Sequence, residues 1–344
     1  MEIAVEHTLP LDAEYGRTMT NSTKDQTPPR TRREVLRTAS LLAGATLAQT
    51  VGTAARAQPA AVTPPPQIAG FTTERVQTSG GVTIHTVKAG NGPPLLLMHG
   101  APLTHYTWRE VAPKLAERFT VVATDLRGYG DSDQPKGLPD HSNYAKRAMA
   151  QDQIDVMKHF GFDKFAVVGQ DRGARVAHRM ALDHADAVTK LVLIDIVPTH
   201  YLYTHVTIDF VQAYFHWFNY LQPSPIPENQ LLAQRSAAQP SPAQLEYQRR
   251  NSTPDGVHSM CEDYRAGASI DLEHDGEDFG KKLIRCPVNA LWAENGAMDK
   301  IYDVLAIWKS YAKRVEGKGM PGGHNMQEGA PKEVLAELQR FLGA

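Results

Sequence analysis

Phe165-Ala166-Val167-Val168-Gly169-Gln170-Asp171-Arg172-Gly173-Ala174-Arg175 decides how the rest of this chain is read. Four apolar residues end at a glycine, and a helix-like stretch, Arg172 to His184, follows at once. An apolar run this short, closed by glycine, reads as a strand buried on both faces. Glycines on either side of Asp171 let backbone approach backbone in the turn. The same figure recurs outward from it. Leu95-Leu96-Leu97-Met98 ends at His99-Gly100, and Val121-Val122-Ala123 ends before Asp125. Leu191-Val192-Leu193-Ile194 ends at Asp195, and Val288-Asn289-Ala290-Leu291-Trp292 comes late in the chain. Amphipathic stretches such as Tyr144 to Phe160, Tyr302 to Tyr311 and Pro331 to Leu342 complete the alternation. This pattern predicts a doubly wound, mostly parallel α/β sheet.

The alternation breaks from about residue 199 to 278. That stretch holds many aromatics and several prolines but no apolar strand run. It reads as a helical cap inserted into one α/β core, whose two parts span residues 71–198 and 279–344. A cap so placed covers the carboxyl ends of the strands, where open α/β sheets bind ligands.

Composition narrows the partners. The chain has 344 residues, a formal net charge of −2, 42% hydrophobic and 22% charged residues, which is ordinary for a globular protein. Neither sign dominates, so nothing points to nucleic acid or to a membrane surface. A small-molecule substrate is expected, and a homodimer is left open. Two cysteines, Cys261 and Cys286, are too few for a disulfide scaffold. They show no metal-ligand spacing, so neither metal nor cofactor is expected, and one disulfide between them is left open. Before the core, Thr31-Arg32-Arg33-Glu34-Val35-Leu36-Arg37, an apolar run and Ala55-Arg56-Ala57 read as a twin-arginine export signal over residues 1–57. The acidic residues Glu2, Glu6, Asp12 and Glu14 suit such a signal badly and suggest a start at Met19. A proline-rich linker, 58–70, follows. The mature protein is expected in the periplasm, with no stable membrane association once the signal is removed.

A G-x-S-x-G turn between strand and helix is the nucleophile elbow of the α/β-hydrolases. Gly169 to Gly173 resembles it, with aspartate in place of serine. In that fold the chain order is nucleophile, acid, histidine. His324, in the loop Gly322-Gly323-His324, is the expected base, and histidine suits because it titrates near neutrality. Asp195, directly after its strand, is the expected acid; Asp299 is the runner-up and Glu294 a further fallback. The backbone N–H groups of Ala101 and Arg172 are expected to form the oxyanion hole. Asp125 to Ser132 is read as a structural turn.

An aspartate nucleophile selects a reaction class. Its attack on a carbonyl gives a high-energy anhydride, whereas attack on saturated carbon gives an ordinary ester that water can hydrolyse. Cleavage of a C–halogen bond or an epoxide fits. Arg172 and Arg175 begin the following helix, and desolvated guanidinium groups call for an anion. A substrate carboxylate beside the reacting carbon means a 2-haloacid.

Several stretches resemble the haloacetate (fluoroacetate) dehalogenases. They are Gly169 to Arg175, His178 to His184, Leu193 to Thr199, Lys146 to Ala150, and Cys261 to Ala268 with Glu273-His274-Asp275. The resemblance implies hydrolytic dehalogenation of a haloacetate. It also implies a halide site made of His216, Trp217 and Tyr264, which on composition alone read more readily as cap core. Ala101 stands where that family has a large aromatic. Gln170 stands where it has histidine, and Asn325 where an aromatic is common. An epoxide hydrolase, with Tyr203, Tyr214 or Tyr264 as proton donor, is the first rival reading. A non-catalytic binding protein of the same fold is the second.

Overall fold

The computed structural model describes residues 67–234 and 239–343. The expected export signal therefore lies outside the described residues. Eight strands form one sheet: β1 (Thr72–Gln77), β2 (Thr83–Ala89), β3 (Pro94–Met98), β4 (Thr120–Thr124), β5 (Phe165–Gln170), β6 (Val188–Ile194), β7 (Val288–Ala293) and β8 (Val315–Met320). Their order is β1-β2-β4-β3-β5-β6-β7-β8. β1 and β2 are antiparallel at one edge, and β3 to β8 run parallel. This is the fold of the α/β-hydrolases.

Side-chain alternation divides the core between the two faces. On β3, Leu96 and Met98 enter one buried cluster while Leu95 and Leu97 enter the other. The first face is covered by the helices Lys146–His159 and Arg172–Asp183, through Met149, Ile154, Val176 and Met180. The second is covered by Ala112–Leu115 and Pro331–Leu342, through Leu115, Val334 and Leu338. Because each central strand is apolar on both faces, its run is continuous rather than alternating.

The sequence reading found β3 to β7 but not the edges. β8 reads Val315-Glu316-Gly317-Lys318-Gly319-Met320, and only Met320 is buried. An edge strand buries little, so no apolar run marks it.

From Thr199 to Asp278 the described residues form helices joined by short turns, among them Phe215–Tyr220, Ile226–Ala233, Pro242–Asn251 and Pro254–Gly267. Proline opens three of these last four near the first helical position, where its missing N–H costs nothing. Ser241 and Gln244 add a reciprocal capping box. Cys261 and Cys286 are buried free thiols, not a disulfide. Burial pushes them up to about 12 and about 11. Among the described residues no helix is long and apolar enough to cross a membrane.

Candidate active site

The site is assembled where β3, β5, β6 and β8 run out. Asp171 follows β5 with φ 47° and ψ −113°, a backbone state that costs a non-glycine residue on the order of 1–3 kcal/mol. Its neighbours hold it there. A Cβ on Gly169 would stand 2.7 Å from Ala174 Cα, and one on Gly173 would stand 2.7 Å from the carbonyl carbon of Met98. The turn thus closes only with glycine at both positions, and it lifts the carboxylate off the sheet. Gly100 is needed for the same reason, since a Cβ there would lie 2.6 Å from Asp171 Cβ. That close approach lets the Ala101 N–H donate to Asp171 Oδ1 at 3.0 Å. Arg172 is the first residue of the next helix.

His324 lies in the loop after β8, behind Gly322 and Gly323, both at positive φ. Its Nδ1 is 2.5 Å from Asp195 Oδ2, and its Nε2 is 3.9 Å from Asp171 Oδ2. Asp195 is itself fixed, because Oδ1 accepts the Ala293 N–H at 2.9 Å. Burial works against charging His324, but the hydrogen bond to Asp195 and the charge of Asp171 outweigh it and raise its pKa. With Nδ1–H donating to Asp195, Nε2 carries the lone pair. Gln170 Nε2 sits 3.3 Å from that atom and donates to the His324 carbonyl at 3.2 Å. Glutamine at this position therefore steadies the histidine loop. The runner-up acid is committed elsewhere: Asp299 accepts from Trp292 Nε1 at 2.8 Å and from the Asn295 N–H at 2.9 Å.

The two arginines are both buried, but the structure treats them differently. Both were expected to be available to a substrate. Arg172 instead gives Nε to Asp263 Oδ2 at 2.8 Å and Nη2 to Asp263 Oδ1 at 2.8 Å, leaving Nη1 buried without a partner. Asp263 also takes Lys146 and the Tyr129 hydroxyl. Burial would raise this carboxyl, yet Arg172 and Lys146 hold it well below the usual carboxylate range. Arg175 reaches the Val197 carbonyl and Thr199 Oγ1 through Nη1, at 3.1 and 3.2 Å. Its Nε and Nη2 are buried without partners. Burial and the nearby Arg172 charge lower its pKa.

Tyr264 and Trp217 meet edge to face, 5.3 Å between centroids, and His216 lies 6.0 Å from Tyr264. The guanidinium of Arg172 lies over Tyr264 at 4.4 Å and that of Arg175 over Trp217 at 4.7 Å. Burial lowers the pKa of His216 and so keeps it neutral near pH 7. The three residues thus gather on the cap side of the arginines.

Asp125 to Ser132 is a structural turn, as expected. Asp125 Oδ1 accepts the His105 N–H at 2.7 Å and lies 2.8 Å from His105 Nδ1. His85, His105 and Asp125 bring metal-ligating atoms within 4.8 Å of one another, but that oxygen is already engaged by His105 twice.

The sequence reading missed Asp263. Two desolvated arginines imply a buried acid somewhere in the cap, but the sequence offers Glu262 and Asp263 side by side. Only the helix Pro254–Gly267 decides between them, pointing Asp263 at Arg172 and Glu262 at Arg265.

Comparison with known proteins agrees with this geometry. Residues 93–331 match the α/β-hydrolase fold family. A fluoroacetate dehalogenase from Burkholderia sp is 40% identical, covering 78% of this chain and 93% of its own. A soluble epoxide hydrolase from Corynebacterium sp. (strain C12) is 33% identical, covering 76% and 94%. The crystal structure of a candidate α/β hydrolase from Nostoc sp PCC 7120 is 48% identical with a TM-score of 0.77, covering 80% and 99%. With its sheet order, its strand-to-helix turn at Asp171 and these relatives, the chain belongs to the α/β-hydrolase family, among the fluoroacetate dehalogenases and their epoxide hydrolase kin.

Proposed function

We propose that this chain is a hydrolytic 2-haloacid dehalogenase that works through an alkyl ester on Asp171. Support comes chiefly from the unpaired, buried nitrogens of Arg172 and Arg175 beside that aspartate. Buried donors left without acceptors are costly, and a substrate carboxylate supplies acceptors for both arginines. The relative named fluoroacetate dehalogenase supports the same reading.

In this mechanism Asp171 Oδ2 attacks C2 of the acid as the carbon–halogen bond breaks. The halide leaves with the bonding pair, toward the N–H and O–H donors of His216, Trp217 and Tyr264. Asp171 Oδ1 becomes the ester carbonyl oxygen and keeps the Ala101 N–H. His324 Nε2 takes a proton from water, and the hydroxide adds to Asp171 Cγ. The tetrahedral oxyanion is held by the N–H groups of Ala101 and Arg172. As it collapses, the proton on His324 passes to the departing hydroxy acid, and Asp171 gives up one proton to solvent. Asp195 keeps the imidazole in the right tautomer and stabilises its cation.

The direct test is incubation with chloroacetate, with styrene oxide in parallel. Stoichiometric chloride and glycolate are expected, with little diol. An epoxide hydrolase is the second reading, favoured by the Corynebacterium relative and by the unpartnered, buried hydroxyl of Tyr203. It leaves Arg172 Nη1 and Arg175 Nε and Nη2 without a substrate acceptor. Diol formation with no chloride release would establish it instead.

Turnover needs neutral His324. Because its pKa is raised, the ring stays protonated to a higher pH than free histidine. The acid limb of kcat is therefore expected to have its midpoint above about 6.5. A pH series on chloroacetate reads this; because Asp171 is an uncharged ester when His324 acts, a midpoint below that value would contradict the Asp195 contribution.

A further inference from the structure

A cavity of about 830 Å³ opens beside the site, between the core loop and the cap. Ala101, Pro102, Leu231, Val257 and Met260 form its apolar wall. His216 and Tyr264 line it too, so it joins the space in which the halide would be held. At Ala101 it touches the residue whose N–H meets Asp171 Oδ1 at 3.0 Å, and a single methyl is all that residue adds to the wall. Gln248 and Ser252 are exposed members of the lining, so the cavity opens to solvent on that side. Among the described residues lining it, none is Asp, Glu, Lys or Arg. The anionic end of a substrate has its donors elsewhere, at Arg172 and Arg175. Haloacetate, with only hydrogens on C2 besides the halogen, would leave the cavity unused.

We propose that this cavity is a specificity subsite for an uncharged, apolar substituent on C2, so that the preferred substrates are longer 2-haloalkanoates rather than haloacetate. The inference rests on the 2-haloacid reading above. With the carboxylate at the arginines and the halide at the cap donors, a third group on C2 has the Ala101–Met260 cavity as its open direction. Cavities of this volume fall in the usual range for organic ligands and far exceed what a two-carbon acid fills. Each methylene buried in such a wall raises kcat/KM by about fourfold.

The test is halide release by the full mature protein from chloroacetate, 2-chloropropanoate, 2-chlorobutanoate and 2-chlorohexanoate. The last three share a secondary carbon, so their differences read the chain alone. kcat/KM is expected to rise from 2-chloropropanoate to 2-chlorohexanoate, by at least tenfold in all. Leu231→Trp fills the cavity from the cap side. It should abolish that rise while leaving chloroacetate turnover within about twofold, which also shows that the variant folds. Val257→Phe should do the same from the neighbouring helix. A fall in kcat/KM with chain length would overturn the subsite. Equal losses for chloroacetate and 2-chlorohexanoate in Leu231→Trp would overturn it too, since the cavity would then be a passage. Absence of halide from all four acids would sink the 2-haloacid reading itself.

Discussion

His324→Asn is expected to lower kcat on chloroacetate by roughly a thousandfold and to leave a carboxymethyl ester on Asp171. The two halves of the reaction call on different groups. Displacement of halide needs the Asp171 carboxylate, the arginines and the halide donors, none of which this substitution removes. Hydrolysis of the ester needs a proton acceptor opposite Cγ, and the ring nitrogen 3.9 Å from Oδ2 is the one in reach. Asparagine fills much of the same space and can still meet Asp195, but it has no basic lone pair. One equivalent of chloride should therefore appear quickly, followed by near silence. Mass spectrometry of the digested protein should find the added carboxymethyl group on the peptide holding Asp171. Sustained turnover with no adduct would remove His324 from its role. Loss of the initial burst as well would mean that the histidine acts in the first step.

Asp263→Ala should destabilise the fold by about 3–5 kcal/mol and abolish turnover. Asp263 is fully buried and compensates Arg172 and Lys146. Lys146 keeps a second acid, Asp271, at 3.4 Å; among the described residues Arg172 has no carboxylate partner besides Asp263. An uncompensated buried guanidinium either drags water into the cap or swings away, and in both cases it loses its place over the Tyr264 ring. Asp263→Asn keeps an acceptor oxygen and the side-chain shape, so its stability loss should be smaller, while kcat/KM still falls. Urea unfolding of the three proteins measures the first effect and chloride release the second. Equal stability of wild type and Asp263→Ala would show that the ion pair carries no net stabilisation here.

How far the sequence could be read depended on what each residue buries. The five inner strands announced themselves because both faces are apolar, as at Leu95 to Met98. β8 could not, since its half-buried glycines and exposed charges carry no apolar signal. Asp171 and His324 were legible because the elbow and the glycine loop are local figures, each set by a few adjacent residues. Asp195 needed more: only the turn at Gly296, lacking an acid, and the place of Asp195 right after its strand made it preferable to Asp299. The identity of Arg172's partner was out of reach. That pairing spans ninety-one positions and depends on the rotation of one cap helix. The width of the cavity was foreshadowed by Ala101, but its volume is a sum over residues from the core and four cap helices.

Gly100 brings the loop after β3 against the turn after β5, and His324 arrives only from the loop after β8, at the far end of the sheet order. The reacting groups are therefore supplied by segments that begin at residue 99 and end past residue 324. A polypeptide synthesised as far as Asp195 would possess the carboxylates and both guanidinium groups, but neither the halide donors nor the histidine that the proposed reaction calls on. On the proposed mechanism the two halves of the reaction wait on later segments, displacement on the cap and ester hydrolysis on the loop after β8.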